Sequence, residues 1–339
     1  MLKTIISKLT DKQNLTEEEM IQAMKIIMDG QAKDSQVGGF LTALRMKGET
    51  IEEITGGAKV MRALSTKVDI DSELALDTCG TGGDKANTFN ISTIVAIVAA
   101  SAGVKVVKHG NRSVSSKCGS ADVLESLGIN IELKSDDVKK CVEEINIGFM
   151  FAPYFHSAMK NVIMQRRELG VRTVFNVLGP LTNPAMVKRQ VLGIFDESLT
   201  EPIAEVLKNL GVEHAMVVHG MDGLDEITIT TKTKVTELKN NQITTYYIDP
   251  TEYGFTLGVA KDILGGDPSE NADIITSILS GEITGPMKDI VILNAGAAIY
   301  VGGVADSLVD GIKKAKEALE EGFALDKLNQ FITLSQRLG

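Results

Sequence analysis

Residues 74–103, LALDTCGTGGDKANTFNISTIVAIVAASAG, pass from a short apolar run through a glycine-rich loop into a long apolar stretch. This succession predicts a strand, a loop and a helix, the unit from which parallel α/β sheets are built. Gly80, Gly82 and Gly83 permit positive φ angles and a close approach of a ligand to the backbone. Backbone N–H groups in such a loop, beside a helix N-terminus, form an anion-binding concavity. The loop therefore predicts a phosphate site, although a structural turn without a ligand explains the same glycines.

Beyond this unit, β-prone runs alternate with helical patterns. Strands are predicted at residues 104–109, 147–152, 189–195, 214–220 and 289–295, and helices at 136–145, 201–210 and 307–321. The alternation is typical of a mostly parallel sheet covered by helices on both faces. Residues 156–170 predict a long polar helix, and residues 233–248 predict a β-hairpin appendage that turns at Asn240-Asn241.

The chain begins with helical patterns only. Thr16 with Glu19 and Thr50 with Glu53 are capping boxes, and residues 36–46 predict a helix between them. The predicted fold class is α/β, with a small all-helical N-terminal domain and a larger domain whose mostly parallel central sheet is flanked by helices. We place the helical domain at residues 1–70 with a helical return segment at about 156–185, and the α/β domain at residues 71–339.

Composition restricts the class of protein. The 339 residues carry a formal net charge of −10 with a pI near 5.1, which argues against broad binding of a nucleic-acid backbone. Cys79, Cys118 and Cys141 form no closely spaced pair and predict reduced thiols. The N-terminal stretch MLKTIISKLTDKQNL has too short an apolar run for a signal peptide, and no segment approaches the apolar length of a bilayer-spanning helix. We therefore expect a cytoplasmic protein.

A second polar loop follows the strand predicted at residues 104–109. Its residues are Lys108, His109, Gly110, Asn111, Arg112, Ser113, Ser115 and Ser116, and a helix is predicted to open at Gly119 and Ser120. Polar residues at the carboxyl end of a parallel strand lie where open α/β sheets bind ligands. Cations and hydroxyl groups without a nucleophile–base pair suit the binding of phosphate. Surface solvation of the two cations and a structural role for the histidine remain the alternatives.

An acidic turn follows the strand predicted at residues 214–220. Asp222, Asp225 and Glu226 have no cysteine or histidine ligand beside them, and such a carboxylate set suits Mg²⁺ held partly by substrate phosphates. An ordinary Asp-Gly turn is the alternative. Because two phosphate-type loops need a counter-charge, we interpret the turn as a magnesium site.

Four stretches together resemble the anthranilate phosphoribosyltransferase family, which has the nucleoside-phosphorylase-like transferase fold. They are GTGGDKANTFNIST, KHGNRSVSSKCGSADVLESLG, RRELGVRTVFNVLGPLTNP and GLDEIT, and the resemblance covers nearly the whole chain. It implies two domains joined by a hinge, and homodimers formed through the small domains. It also implies transfer of the phosphoribosyl group of 5-phosphoribosyl 1-pyrophosphate (PRPP) to the amine of anthranilate, in tryptophan biosynthesis. Cys118 and Lys85 stand where the family often has serine and glycine, which leaves the local loop packing open.

The resemblance also implies which residues carry the activity. Lys108, Asn111 and Arg166 would be catalytic, and two Mg²⁺ ions per subunit would be held by Ser92, Asp225 and Glu226. Anthranilate would contact Gly80, His109, Asn111, Pro153, Gly179 and Arg166, the arginine facing its carboxylate. PRPP would contact both polar loops, at Gly80, Gly83, Asp84, Thr88, Asn90, Ile91, Ser92, Thr93, Lys108, His109, Gly110, Asn111, Arg112, Ser113, Ser115, Ser116 and Ser120.

Two other functions stay open at this point. A pyrimidine nucleoside phosphorylase shares the fold and a phosphate loop, but it does not need a carboxylate pair for Mg²⁺–pyrophosphate. A non-enzymatic relative that binds nucleic acid should have a basic surface and eroded motifs. The acidic composition and the intact GLDEIT and KHGNRSVSS stretches favour the transferase. We expect small-molecule substrates, no nucleic-acid partner and no membrane association.

Overall fold

The N-terminal part of the chain is a helical bundle. The computed structural model describes residues 1–84, 86–113 and 117–339. The bundle contains α1 (Leu2–Thr10), α2 (Glu17–Met28), α3 (Asp34–Lys47) and α4 (Ile51–Leu64). At the start of α2 the Glu19 amide donates to the Thr16 hydroxyl at 3.2 Å, and the Thr16 amide donates to the Glu19 carboxylate at 2.8 Å. Thr50 and Glu53 make the same exchange at the start of α4, which confirms both predicted capping boxes.

A larger α/β part follows the bundle. Its elements, in chain order, are β1 (Ala75–Gly80), α5 (Ile91–Ser101), β2 (Lys105–Gly110), α6 (Ser120–Ser126), α7 (Ser135–Ile145), β3 (Ile147–Phe151), α8 (Ala152–Phe155), α9 (Ile163–Leu169), α10 (Phe175–Leu178), β4 (Arg189–Gly193), α11 (Thr200–Asn209), β5 (His214–Gly220), β6 (Thr233–Lys239), β7 (Gln242–Ile248), α12 (Pro268–Leu279), α13 (Pro286–Val301), α14 (Leu308–Glu320) and α15 (Phe323–Leu338). Strands β1 to β5 and helices α7, α11 and α14 confirm the corresponding predictions.

The strands form one mixed sheet in the order β3-β2-β1-β4-β5-β6-β7. The pairs from β3 to β5 are parallel, and the last two pairs are antiparallel. Strand β1 is the middle one of the five parallel strands, with β2 on one side and β4 on the other. The glycine-rich loop, the second polar loop and the acidic turn follow β1, β2 and β5, so all three lie at the carboxyl edge of the parallel strands, where open α/β sheets bind ligands.

The strand predicted at residues 289–295 is wrong, because these residues belong to α13. Ile290, Val291, Ile292 and Leu293 are each at most 3% exposed, so the helix is apolar on every side. A continuous apolar run has no periodicity that separates a buried helix from a buried strand. Helices accept proline in their first turn, so Pro286 was the local signal that favoured a helix.

Two further predictions need correction. The hairpin forms, with Asn240 and Asn241 at φ angles of 52° and 62°, but β6 pairs with β5 and so extends the central sheet. Residues 156–170 form a 3₁₀ turn at Ser157–Asn161 and then α9, instead of one long helix. The break lies at Val162, which has a φ of −131° and is 0% exposed, because its side chain packs into the core of the helical bundle.

One hydrophobic core joins the bundle to a face of the sheet. It runs from the bundle through α11 to Leu192 of β4 and Val217 of β5, while the opposite face packs on α5 and α13. The segment after α8 contacts the bundle through Asn161 Nδ2, which donates to Met28 O at 2.7 Å. The domain limits themselves stay predictions. Among the described residues, no helix combines the length and apolar character that crossing a membrane requires.

Candidate active site

The glycine-rich loop is held against the acidic turn. Thr81 N–H donates to Gly193 O at 3.0 Å, and Gly82 N–H donates to Asp225 Oδ2 at 2.7 Å. A Cβ atom on Gly80 would lie 2.5 Å from the same carboxylate oxygen, so only glycine fits there. Gly82 and Gly83 have φ angles of 65° and 80°, the left-handed region that favours glycine. The loop thus has a defined shape, and it places backbone amides beside carboxylates.

The two carboxyl groups of the acidic turn repel each other and their neighbours. Asp225 is 9% exposed, and burial followed by repulsion from Asp84 raises its pKa to about 7. Burial and then repulsion from Asp225 raise the pKa of Glu226 well above its usual range. The described residues therefore concentrate negative charge here without a matching cation, apart from Lys108, which lowers the pKa of Glu226. Hard oxygen donors with excess negative charge fit Mg²⁺, although the described residues contain no group of three or more His, Cys, Asp or Glu that could hold a metal alone.

Asp222 has a different task. Its carboxylate accepts from the Leu224 amide at 3.2 Å and from the Thr228 hydroxyl at 2.7 Å. These bonds close the turn that presents Asp225. Asp222 therefore supports the turn.

Lys108 lies below the glycine-rich loop and is 3% exposed. Its ammonium group donates to Thr78 O and, at 3.1 Å, to Ser92 Oγ in the first turn of α5. Burial lowers the pKa of Lys108, while Asp77, Cys79 and Glu226 act in the opposite direction. Lys108 thus places one buried cation between the end of β1, the start of α5 and the acidic turn.

A buried carboxylate that the sequence analysis did not select organises the end of β2. Asp77 accepts from His109 N–H at 3.2 Å and from Asn183 Nδ2 at 2.9 Å, and burial raises its pKa to about 6. The only local signal for it is an acidic residue at the end of an apolar strand. Nothing in the sequence near Asn183 indicated its partner.

The imidazole of His109 is neutral over the ordinary pH range. Burial, followed by repulsion from His156 and Lys108, lowers its pKa to about 3. The His109 and His156 rings lie 5.0 Å apart between centroids, and burial lowers the pKa of His156 to about 4. Neither Nε2 atom has a hydrogen-bond partner among the described residues. His109 can therefore serve a ligand as a neutral donor or acceptor.

Asn90 connects three segments of the site and makes no side-chain capping bond to α5. Its Nδ2 donates to Cys118 O at 3.2 Å, and its Oδ1 accepts from Asn271 Nδ2 at 2.9 Å. Thr88 pairs with Leu264 in an isolated antiparallel bridge. The start of α12 and the loop before it therefore support the glycine-rich loop, which no local sequence signal indicated.

Several groups of the second polar loop bond to one another or to the helix that follows it. The Arg112 guanidinium pairs with Asp122 at 3.0 Å and with Glu125 at 2.9 Å, and the Ser113 amide donates to Asp122 at 3.0 Å. Ser120 Oγ donates to Asn111 O at 3.4 Å. The predictions at Ser115 and Ser116 lie outside the described residues.

Three of the predicted anthranilate contacts, Pro153, Arg166 and Gly179, follow β3 in the chain. Pro153 lies in α8, and the Gly179 backbone interacts with His109. Arg166 is half-buried in α9 with its guanidinium 5.1 Å from the Phe175 ring centroid, and burial lowers its pKa. No carboxylate among the described residues pairs with it. Arg166 is thus a cation with capacity to bind an anion.

Comparison with known proteins gives consistent similarities. The glycosyl transferase family matches with its α/β domain over residues 72–325 and with its helical bundle domain over residues 3–65. The chain is 63% identical to the anthranilate phosphoribosyltransferase of Alkaliphilus metalliredigens, over 100% of this chain and 99% of that relative. It superposes with a TM-score of 0.93 on the Thermus thermophilus anthranilate phosphoribosyltransferase, with 40% identity and coverage of 98% and 99%. The Saccharomyces cerevisiae enzyme in complex with PRPP and Mg has a TM-score of 0.91 and 30% identity, with coverage of 99% and 98%.

Proposed function

The chain belongs to the anthranilate phosphoribosyltransferase family, and on that premise we propose how its residues perform the family's reaction. It transfers the phosphoribosyl group of PRPP to the amine of anthranilate, giving N-(5-phosphoribosyl)anthranilate and pyrophosphate, in tryptophan biosynthesis. The observation that carries the proposal is the contact of the amide-rich loop with the acidic turn, where Gly82 N–H meets Asp225 Oδ2 at 2.7 Å. A diphosphate bound there lies between backbone donors and a carboxylate pair that takes up a cation.

The two other functions have less support. The relatives that match along the whole chain are transferases of this family. A phosphorylase has no use for the Asp225–Glu226 pair that follows β5. A nucleic-acid-binding protein would need a basic surface, whereas this chain has a formal net charge of −10.

The assignment of donor-binding residues follows from the two loops. Gly80, Gly83, Asp84, Thr88, Asn90, Ile91 and Thr93 contact PRPP from the first loop, and Lys108, His109, Gly110, Asn111, Arg112, Ser113 and Ser120 contact it from the second. Ser92, Asp225 and Glu226 hold two Mg²⁺ ions per subunit. When bound, Mg²⁺ supplies charge neutralisation to the departing pyrophosphate.

Lys108 is the protein's own counter-charge in this site. It lies close enough to Ser92 to orient its hydroxyl, at 3.1 Å, and its charge lowers the pKa of Glu226. Negative charge grows on the bridging oxygen as the bond from ribose C1 to pyrophosphate lengthens. A buried cation already in position stabilises that charge more than a solvated one would.

The acceptor needs alignment more than activation. An aromatic amine is neutral at pH 7, so its lone pair is available without a strong base. Arg166 binds the anthranilate carboxylate, and Gly80, His109, Asn111, Pro153 and Gly179 surround the ring. The nitrogen bonds to C1 as the pyrophosphate oxygen leaves with the electron pair, and the nitrogen then releases one proton to solvent. Fixing both partners can contribute about 7–11 kcal/mol in ideal cases.

The cellular and quaternary setting is part of the same proposal. We place the domain limit near residue 70, with residues 156–185 joining the helical domain. The protein forms a homodimer through its helical domains and acts in the cytoplasm. Light scattering of the purified protein at several concentrations tests the dimer, since a monomer at all concentrations would contradict it.

The activity is tested by the loss of anthranilate fluorescence on mixing protein, Mg²⁺ and PRPP. We expect the loss only when all three are present, with the phosphoribosyl product identified by mass. Fluorescence that stays constant in the complete mixture would overturn the proposed function. Cleavage of a pyrimidine nucleoside by inorganic phosphate would support the phosphorylase instead, and salt-sensitive DNA binding would support the third function.

A further inference from the structure

One arginine that the proposed chemistry does not use contacts the glycine-rich loop. Arg172 lies between α9 and α10, and its Nη2 donates to Gly83 O at 3.1 Å. Its guanidinium carbon lies 4.2 Å from the centroid of the Phe195 ring. Stacking of a planar guanidinium on an aromatic face fixes the direction of its N–H groups. The contact therefore holds the second half of the loop from outside.

Phe195 also holds the first half of the loop. Its backbone N–H donates to Thr81 Oγ1 at 3.1 Å, and Thr81 N–H donates to Gly193 O at 3.0 Å. The residues after β4 thus support Thr81 directly and Gly83 through Arg172. The end of strand β4 therefore supports both halves of the loop.

The carbonyl that Arg172 binds determines where the next amide points. The Gly83 C=O and the Asp84 N–H belong to one planar peptide unit and point in opposite directions. Gly83 has a φ of 80°, and glycine turns about its backbone bonds more freely than any other residue. Thr81 and Gly82 amides already donate to Gly193 and Asp225, while those of Gly83 and Asp84 have no acceptor among the described residues.

We propose that Arg172 is a positioning residue, which fixes the Gly83–Asp84 peptide so that the loop's remaining amides face the diphosphate of PRPP. This inference rests on the proposed function and deepens it. It assigns Arg172 to donor binding, in contrast to Arg166 on the neighbouring helix, which we assign to the acceptor.

The test compares Arg172→Met, which keeps the length of the side chain, with Phe195→Leu and with both together. Titration calorimetry with PRPP and Mg²⁺, without anthranilate, measures donor binding, and steady-state kinetics give KM for each substrate. We expect about tenfold weaker PRPP binding for Arg172→Met, the effect of one charge-assisted hydrogen bond, and less than about a twofold change in KM for anthranilate. Phe195→Leu should weaken PRPP binding about threefold, and the double variant should be no worse than Arg172→Met.

The control is Arg337→Met, an exposed arginine on α15 that pairs with Glu144, and it should bind PRPP like the wild type. Unchanged PRPP affinity in Arg172→Met, or equal increases of both KM values, would overturn the inference while leaving the proposed function intact. Wild-type protein that neither binds PRPP nor consumes anthranilate overturns both. If Arg172→Met fails to fold, Phe195→Leu decides alone, because the inference fails when that variant binds PRPP as tightly as the wild type.

Discussion

Replacing Asp225 by asparagine should make the metal-free protein more stable at pH 8 while it removes turnover. Burial and repulsion from Asp84 raise the pKa of Asp225 from 3.8 to about 7. A raised pKa in the folded state means that this carboxyl group stabilises the fold most below pH 3.8, and that its contribution is lost as the pH rises through about 7. Asparagine resembles the neutral carboxyl group, so it avoids this loss.

The magnitude follows from the size of the shift. A change from 3.8 to about 7, at about 1.36 kcal/mol for each pH unit, amounts to about 4 kcal/mol at pH 8. Because Asp225 interacts strongly with a neighbouring carboxyl group, the shift belongs to the pair, and one substitution should recover about half of this, on the order of 2 kcal/mol. For a chain of 339 residues that raises Tm by about 3 °C.

The assay is scanning calorimetry in EDTA at pH 8 and at pH 5. At pH 5 the wild-type carboxyl group is already protonated in the folded protein, so the advantage of Asp225→Asn should shrink to below about 1 kcal/mol. The matched control is Asp222→Asn in the same turn, which should lower Tm at both pH values because it weakens the bonds from Leu224 and Thr228. A lower Tm for Asp225→Asn at pH 8, or an equal difference at both pH values, would refute the reasoning.

Three further outcomes test other parts of the account. Arg166→Ala should raise KM for anthranilate at least tenfold and KM for PRPP less than threefold. The control Arg167→Ala, on the exposed side of the same helix, should change neither KM. Equal effects of Arg166→Ala on both KM values would remove the carboxylate-binding role. Asp225→Asn combined with Glu226→Gln should abolish Mg²⁺-dependent turnover with circular dichroism unchanged, and retained turnover would contradict the metal assignment. Glu53→Gln should lower the free energy of unfolding in urea by about 3 kcal/mol, because the 0% exposed carboxylate accepts from two backbone amides and a lysine. A loss below about 1 kcal/mol would show that these bonds contribute little.

Local patterns were sufficient where neighbours in sequence are also neighbours in space. The capping boxes and the Asn240-Asn241 turn involve bonds that span a few residues, and the structure confirms each. The strand that ends in the glycine-rich loop is confirmed as well, although its backbone pairs with the distant strands β2 and β4. The same patterns failed at residues 289–295 and 156–170. In both places burial against distant elements, and not local periodicity, decided the backbone.

The sequence by itself determined which chemical groups the site contains: an amide-rich loop, a lysine at a strand end and paired carboxylates, each encoded in one short stretch. Only the tertiary structure decided how these groups are supported and charged. Asp77 meets Asn183, Gly83 meets Arg172 and Asn90 meets Asn271 across 106, 89 and 181 positions of chain. The physical reason is that a pKa or an amide direction depends on burial and on partners from other elements, and a single stretch of sequence specifies neither.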